Sequence, residues 1–459
     1  MRKAFLLLIC LYPLAILAQE KAPIRLVFEG LKRTRPSTLH RILQLDKKEV
    51  SKADSSQIKQ DAVEGLYNTK LFATVDGKYI SKPGGQDTLY LQLVFVERWY
   101  MYIHPVLKLL DRNFNDWWVN KNHAINRITG GMLLKQRNFT GRNDLLSVSA
   151  LGGAQQKAKL GYDRPSYFFN GKIGLSAMLS YERNLSLNYT SKENKLLFAD
   201  SEENLETNML AHVYSSYHFD FNNKLYLAYS WIKKSLSEEA AMLNPTYFEE
   251  GKSRQAYSLI QVGYRSDTRD VRGYARKGQI VELALRYILL SQSSHRNYPE
   301  VAIDWVRHVP IGRAFEIAMS SQMQWRKAQF RPYILNRGVG WSNHTLRTYD
   351  YYTIDGHFSF IQKNSFKYTL INSKIDWQKI PIRQFRIVPI KVVPKVFADV
   401  GYVRNEFFKD QGDFINRPLY GYGVGLDIVI YDDAVWRFEY GANHRGEAAF
   451  FINFASAIQ

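Results

Sequence analysis

Few residues in this chain have types and spacings that could do chemistry. His212 and His218 come nearest to a histidine cluster, and a loop or interfacial role explains them more simply. No G-x-S-x-G elbow or paired Ser/His spacing stands out, and no His, Cys, Asp or Glu spacing suits a metal ion. Gly421, Gly423 and Gly425 in YGYGVGLDIVI do not form a phosphate-cradling loop, because they recur every second residue and no helix follows. The sequence thus offers no catalytic residue, metal ligand or cofactor site. It does place charge and glycine in three short segments: SDTRDVRGYARKG (Ser266–Gly278), LRTYDYYTIDG (Leu346–Gly356) and FADVG (Phe397–Gly401).

The elements that must position these segments follow from composition and pattern. The chain has 459 residues, 46% hydrophobic and 14% aromatic, and no apolar run of membrane-helix length after its start. That excludes a helical membrane bundle, and the aromatic content excludes a disordered chain. One cysteine excludes a disulfide scaffold. Arg2 and Lys3 precede the apolar stretch Ala4–Ala18, interrupted by Pro13 and followed by Gln19 and Glu20, so residues 1–18 read as a secretory signal peptide. Lipidation at Cys10 is set aside, because Ile9 precedes it where a small residue is expected. The formal net charge of +19 does not indicate nucleic acid: the chain is exported, its basic residues are scattered and no nucleic-acid motif is present. Loop and rim charge facing anionic lipid head groups accounts for it.

Residues 19–98 form a small α+β unit. IRLVFEGL (Ile24–Leu31) alternates as a strand does, Pro36 and Ser37 introduce a helix carrying Leu39, Ile42 and Leu43, and Ser55 or Ser56 caps a second helix carrying Ile58, Ala62, Val63 and Leu66. Strands Phe72–Ile80 and Asp87–Glu97 follow, the latter expected to offer an exposed sheet edge. From residue 99 to 459 the signal is period-two alternation in segments of about ten residues, about sixteen in number, as expected of tilted strands crossing a bilayer. In FEIAMSSQMQW, Phe315, Ile317, Met319, Met323 and Trp325 share one face, while Glu316, Ser320, Gln322 and Gln324 share the other. Trp99, Tyr100 and Trp325 suit interfacial girdles. The expected fold is a transmembrane antiparallel β-barrel preceded by the small α+β unit, with long connections at Asn184–Glu206 and Ala328–Lys363.

The first unit resembles a POTRA domain, the periplasmic polypeptide-binding module of the BamA/TamA-like outer-membrane assembly superfamily (bacterial surface antigen family). Its matching residues are Glu29, Gly30 and Leu31, the segment LYNTKLFATV (Leu66–Val75), and the closing Val96 and Glu97. In the barrel, the D-x-R-D stretch beginning at Asp267 resembles the family's midway turn. Leu346, Arg347 and Tyr349 resemble the Val/Ile-Arg-Gly-Phe/Tyr tip of its sixth extracellular loop, which folds into the lumen. Thr348 stands where the family has glycine, and a β-branched residue resists the backbone geometry that glycine permits. Phe397, Asp399 and Gly401 resemble the Phe-x-Asp-x-Gly element whose aspartate holds the loop arginine. The resemblance therefore implies that Arg347 bonds Asp399, since a buried guanidinium needs a carboxylate. It further implies that the glycine ridge at Gly421–Gly425 leaves room for the loop.

Closing the barrel pairs its first strand with its last. Pro105 in the first strand lacks an N–H and marks either a weak lateral seam or a rim bulge; Phe450, Ile452 and Phe454 share one face of the last. The resemblance implies a bacterial outer-membrane location with the POTRA-like unit in the periplasm. It also implies an assembly factor, not an enzyme, that receives unfolded outer-membrane or secreted clients and inserts them at the seam. A dedicated secretion pore or passive gated channel is the alternative. Expected partners are those clients, outer-membrane lipids and lipopolysaccharide, and accessory assembly proteins; no nucleic acid is expected.

Overall fold

The structure is a computed structural model that describes residues 21–45, 49–51, 54–81, 88–109, 117, 122–168, 172–291, 297–329, 331–341, 344–378, 387–407, 412–431 and 434–456. The signal peptide expected at 1–18 lies outside the described residues.

The N-terminal unit packs two helices, α1 (Pro36–Leu43) and α2 (Ser55–Asn68), on a four-stranded sheet. Its strands are β1 (Lys21–Glu29), β2 (Glu49–Ser51), β3 (Phe72–Ile80) and β4 (Leu89–Glu97), in the order β2-β1-β4-β3. Ile24, Leu39, Leu66, Phe72, Leu91 and Leu93 form the buried core. Gly30 has φ +85, and a Cβ there would sit 2.2 Å from the Phe95 carbonyl oxygen, so only glycine fits this turn. Glu97 holds the same turn by accepting from the backbone N–H groups of Arg33 and Thr34, at 3.0 and 2.8 Å.

Three local expectations are corrected. The closing strand is not an edge: β4 lies between β1 and β3, so the edges are β2 and β3. The three-residue β2 is too short to show alternation. The N-cap position of α2 is Asp54, whose side chain makes no capping hydrogen bond, so Ser55 and Ser56 lie inside the first turn. Tyr100 is not a girdle residue; it is buried, its hydroxyl donating to the Leu71 carbonyl at 3.1 Å and lying 3.1 Å from the Thr34 hydroxyl.

The remaining strands run from β5 (Met101–Leu109) through β6 (Ile128–Arg137), β7 (Leu145–Gly153), β8 (Gln155–Phe168) and β9 (Ile173–Asn184). After the outlying hairpin β10 (Ser186–Lys192) and β11 (Lys195–Asp200) come β12 (Glu206–His218), β13 (Asn223–Leu236), the short helix α3 (Glu238–Leu243), β14 (Arg254–Asp267) and β15 (Gly278–Leu290). Next are β16 (Asn297–Ile311), β17 (Phe315–Arg326), β18 (Phe358–Tyr368), β19 (Ile371–Asp376) and β20 (Ile387–Arg404). The last are β21 (Pro418–Ile430), β22 (Ala434–Asn443) and β23 (Ala448–Ser456).

Seventeen of these form one closed antiparallel barrel, with β23 beside β5 and β9 beside β12. β18 and β19 pair with successive stretches of β20, at Phe358↔Arg404 through Lys367↔Lys395 and then Ile371↔Val392 through Asp376↔Ile387. They share one place in the wall, which leaves sixteen positions. Apolar side chains are exposed all around the outside, among them Leu107 at 78%, Leu285 at 62% and Ile452 at 60%. An exposed apolar belt of this extent is what lipid covers.

The N-terminal unit sits against the rim where β5 begins, called here the near rim. The Arg35 N–H and the Thr38 hydroxyl both donate to the Gly141 carbonyl, at 2.9 and 3.1 Å, in the β6–β7 turn. Asn68 donates to the Asp270 carbonyl at 3.3 Å in the β14–β15 turn, so the unit reaches two turns of the barrel.

Candidate functional site: the loop-six clamp

The alternation of β20 puts Val393, Lys395, Phe397, Asp399, Gly401 and Val403 on its buried, lumenal face, and Val396, Val400 and Tyr402 on the other. The connection from β17 to β18, residues 327–357, is the sixth loop of the far rim and folds back onto that face. Each residue of its tip meets a different feature of the wall. Leu346 packs where Gly401 has no side chain, since a Cβ there would come 2.9 Å from Leu346 Cδ2. Arg347 donates to Asp399 from Nε at 2.7 Å and from Nη2 at 2.5 Å, to the Ser365 hydroxyl at 3.0 Å and to the Asn364 carbonyl at 3.0 Å. Its guanidinium also lies 4.1 Å from the centre of the Phe397 ring, so Phe397, Asp399 and Gly401 each serve the loop from one face of one strand.

Thr348 takes φ +70, the left-handed geometry that a glycine would enter without strain. The wall accommodates its branched side chain with absent ones: a Cβ on Gly421 would lie 2.1 Å from Thr348 Oγ1, and one on Gly441 would lie 2.8 Å from Thr348 Cγ2. The other ridge glycines serve the wall itself, Gly423 facing the Phe397 ring and Gly425 the Lys395 side chain. Tyr349 completes the tip; its hydroxyl donates to the Tyr420 carbonyl at 3.1 Å and lies 2.5 Å from His444 Nδ1.

Below the clamp a line of charge continues toward the near rim. Glu439 lies 3.6 Å from Arg347 and 2.8 Å from Lys395, and Lys395 is 2.6 Å from Asp427. Asp427 in turn accepts the hydroxyl of Tyr274, at 2.9 Å, from the turn that follows Asp267. The Lys367 ammonium stands 4.7 Å from the Tyr274 ring and 3.1 Å from Glu316. The Asp267 turn is itself closed by Arg269, which donates twice to Asp267 at 2.8 Å. Lys395, Asp427, Glu439 and Tyr274 were not singled out in the sequence. Lys395 stands two residues before Phe397, so the period of the strand was the available signal for it. Asp427 is a lone acid on an otherwise neutral face and Glu439 shares its face with Arg437, and nothing local names their partners across the strands.

Electrostatics keep the clamp charged. Burial lowers the Arg347 pKa, but Asp399 and Glu439 outweigh it and leave the pKa above its ordinary value. Asp350, just past the tip, is pushed up to about 6, by burial first and by Glu439 second.

At the seam, Pro105 lies opposite Met132 in a ladder that runs without a shift from Met101↔Gln136 to Leu109↔Ile128, so it occupies no bulge against β6. Phe450 and Ile452 are exposed on the outer face of β23, where the lipid belt lies. Phe454 is in the same strand, and its side chain lies outside the described residues. His212 and His218 each meet a serine hydroxyl, those of Ser230 at 2.8 Å and Ser216 at 3.2 Å.

A closed antiparallel barrel with an apolar outer belt, a docked α+β unit and an arginine-tipped loop folded into its lumen defines an outer-membrane barrel with an internal clamp. The model of the Omp85 superfamily domain matches residues 138–375, just over half of the chain, and the chain belongs to that superfamily. Among solved structures it is similar to BamA from Haemophilus ducreyi lacking POTRA domains 1–3, with TM-score 0.54 and 17% identity over 95% of this chain and 84% of that one. It is likewise similar to CdiB from Escherichia coli, with TM-score 0.59 and 11% identity over 95% and 76% of the two chains. CdiB from Acinetobacter baumannii gives TM-score 0.53 and 11% identity over 95% and 73%. No curated protein matches the chain. At these identities the structural likeness concerns the fold.

Proposed function

We propose that this chain is an outer-membrane assembly factor whose POTRA-like unit, in the periplasm, receives unfolded clients and whose β5–β23 seam opens sideways to insert them. The observation that carries this reading is how the far rim is filled. Leu187, Leu236, Ala240, Phe248, Tyr298 and Tyr333 pack the β10–β11 hairpin, α3 and the start of loop six into one apolar cluster. Val339, Leu346, Ile354, Val403, Phe414 and Leu419 pack the rest of loop six against the connection after β20. An axial route outward must dismantle both clusters and the Arg347 clamp. A lateral route needs only the contact between the first and last strands, because closure there joins chain ends. Clients would be bound by strand addition at an exposed edge of the N-terminal sheet, β2 or β3.

A dedicated secretion pore or gated channel is the second reading. It is favoured by the charged lumenal wall of Lys367, Lys395, Asp427 and Glu439, which suits a hydrated path once loop six leaves. Two cysteine locks separate the readings in liposomes bearing the purified protein. Cysteines scanned along β5 and β23 lock the seam, and cysteines at Leu346 and Gly401 lock the loop. Lateral insertion is stopped by the seam lock and tolerates the loop lock; an axial pore shows the reverse. In cells, depletion should remove several unrelated outer-membrane proteins. Loss of a single exported cargo would instead mark a dedicated exporter.

A further inference from the structure

Between the N-terminal unit and the near rim lies a cavity of about 660 Å³. Arg41 and Lys70 face it from the unit, and Lys224, Arg265, Arg269 and Arg272 from the bases of β13 and β14 and the turn after β14. Four carboxylates also line it, and each is already committed. Asp144 accepts from the Thr140 N–H and the Tyr162 hydroxyl, both at 2.9 Å, and Asp163 accepts from Ser176. Asp220 closes the β12–β13 turn by accepting from the Asn222 and Asn223 N–H groups at 2.8 and 2.9 Å. Asp267 is held by Nε and Nη2 of Arg269.

Several of the cations are less well served. Lys224 makes no ion pair among the described residues and rests 5.4 Å from the Tyr214 ring. Arg272 comes no closer than 3.7 Å to Asp267 and lies 5.8 Å from the Phe221 ring, while Arg41 donates to the Ser37 carbonyl at 3.0 Å. Burial lowers the pKa of both arginines; Arg164 and Arg142 add to this at Arg41, and at Arg272 the lowering persists against the pull of Asp267. The cavity therefore holds positive charge in excess of its acceptors, in a partly enclosed space.

We propose that this cavity is a binding site for carboxylate-bearing segments of an extended polypeptide, held by Lys224, Arg272 and Arg41. The inference rests on the assembly reading and sharpens it, giving the client segment a chemical class. Position argues for a peptide over a lipid. The walls come from the N-terminal unit on one side and the lumenal mouth on the other, so a chain passing from unit to barrel crosses the cavity. A bilayer lipid must leave the outer face to reach it. Aspartate and glutamate side chains match the ammonium and guanidinium donors through charge-assisted hydrogen bonds.

The test uses the full chain in detergent micelles, short extended peptides carrying aspartates or the matching asparagines, and fluorescence anisotropy at low and high salt. Acidic peptides should bind about tenfold more tightly than amide peptides at low salt, and the preference should shrink as salt rises. Lys224→Gln with Arg272→Gln should abolish it; Arg41→Gln, at a half-buried helix position away from the barrel strands, should reduce it and guards against a folding defect in the double variant. Equal binding of the two peptides, or an unchanged preference in the double variant, overturns the proposal. So does binding of phosphatidylglycerol vesicles through Lys224 and Arg272 with no peptide preference. If the preference is absent while wild-type protein inserts clients, this inference falls and the assembly reading stands. If the preference is present while wild-type protein fails to insert, the reverse holds.

Discussion

Replacing Asp399 with Asn tests whether the clamp holds loop six. The Asp399 side chain is fully buried and accepts twice from Arg347, whose remaining carboxylate contact is Glu439 at 3.6 Å. Glu439 is occupied by Lys395 at 2.8 Å, so it cannot replace Asp399 without abandoning a second buried cation. Removing one member of a buried pair costs about 3–5 kcal/mol, because the surviving charge stays desolvated. The cost falls on loop docking, since the barrel ladder does not pass through this pair. Roughly 4 kcal/mol corresponds to about a thousandfold shift in the ratio of docked to released loop. Hydrogen exchange of residues 344–357 should speed up by a factor of that order while β12–β17 stay protected. The double variant Arg347→Met with Asp399→Asn should cost less than the sum of the two single changes, because neither leaves an orphan charge in the other's presence. Loop protection in Asp399→Asn within a factor of about two of wild type, or strict additivity, would refute the argument.

Further outcomes follow from the same geometry. Gly421→Ala should release the loop tip, since its Cβ would meet Thr348 Oγ1 at 2.1 Å, and adding Thr348→Gly should restore part of the loop's protection. Thr348→Gly alone should change docking by about 1 kcal/mol at most, because relieved left-handed strain offsets lost methyl packing; hydrogen exchange reads both. Lys395→Met should destabilise the barrel by about 3–5 kcal/mol in thermal unfolding, since Asp427 and Glu439 lose their shared cation, whereas Tyr274→Phe removes one hydroxyl and should cost about 1 kcal/mol. The Asp350 pKa, raised from an ordinary 3.8 to about 6, makes its charged form unfavourable in the docked loop. Docking should therefore be strongest near pH 4 and weaken as pH rises through 6, with Asp350→Asn flattening the exchange profile. A profile that strengthens with pH would contradict that sign.

The barrel was legible because a wall that separates lipid from water imposes its period on every strand. Residues 313–327 and 420–431 carry that alternation and fall on β17 and β21. Where alternation was blurred, boundaries slipped: β18 begins at Phe358, six residues before the expected start, because Gln362, Lys363 and Asn364 interrupt its apolar face. Tyr100 departs from the girdle pattern because an aromatic at a strand end has the same sequence signature whether it meets lipid or a neighbouring domain. The exposed edges of the N-terminal unit are not legible in its strands, since strand order is set by a parallel pairing between β1 and β4 that leaves no local trace.

By itself the sequence determined what each short segment would do locally: which faces alternate, where glycine punctuates, and that a resemblance joins an arginine in a long loop to an aspartate in a later strand. Only the tertiary structure decided the consequences of placing distant segments side by side. The wall opposite Thr348 lacks side chains at Gly421 and Gly441, which is why a threonine can take a glycine's conformation there. Lys395, Asp427 and Glu439 become partners because neighbouring strands bring them within hydrogen-bond reach, with Tyr274 arriving from a turn more than a hundred residues earlier. Period follows from burial of a single strand, whereas pairing depends on register between strands, and register is a property of the closed barrel.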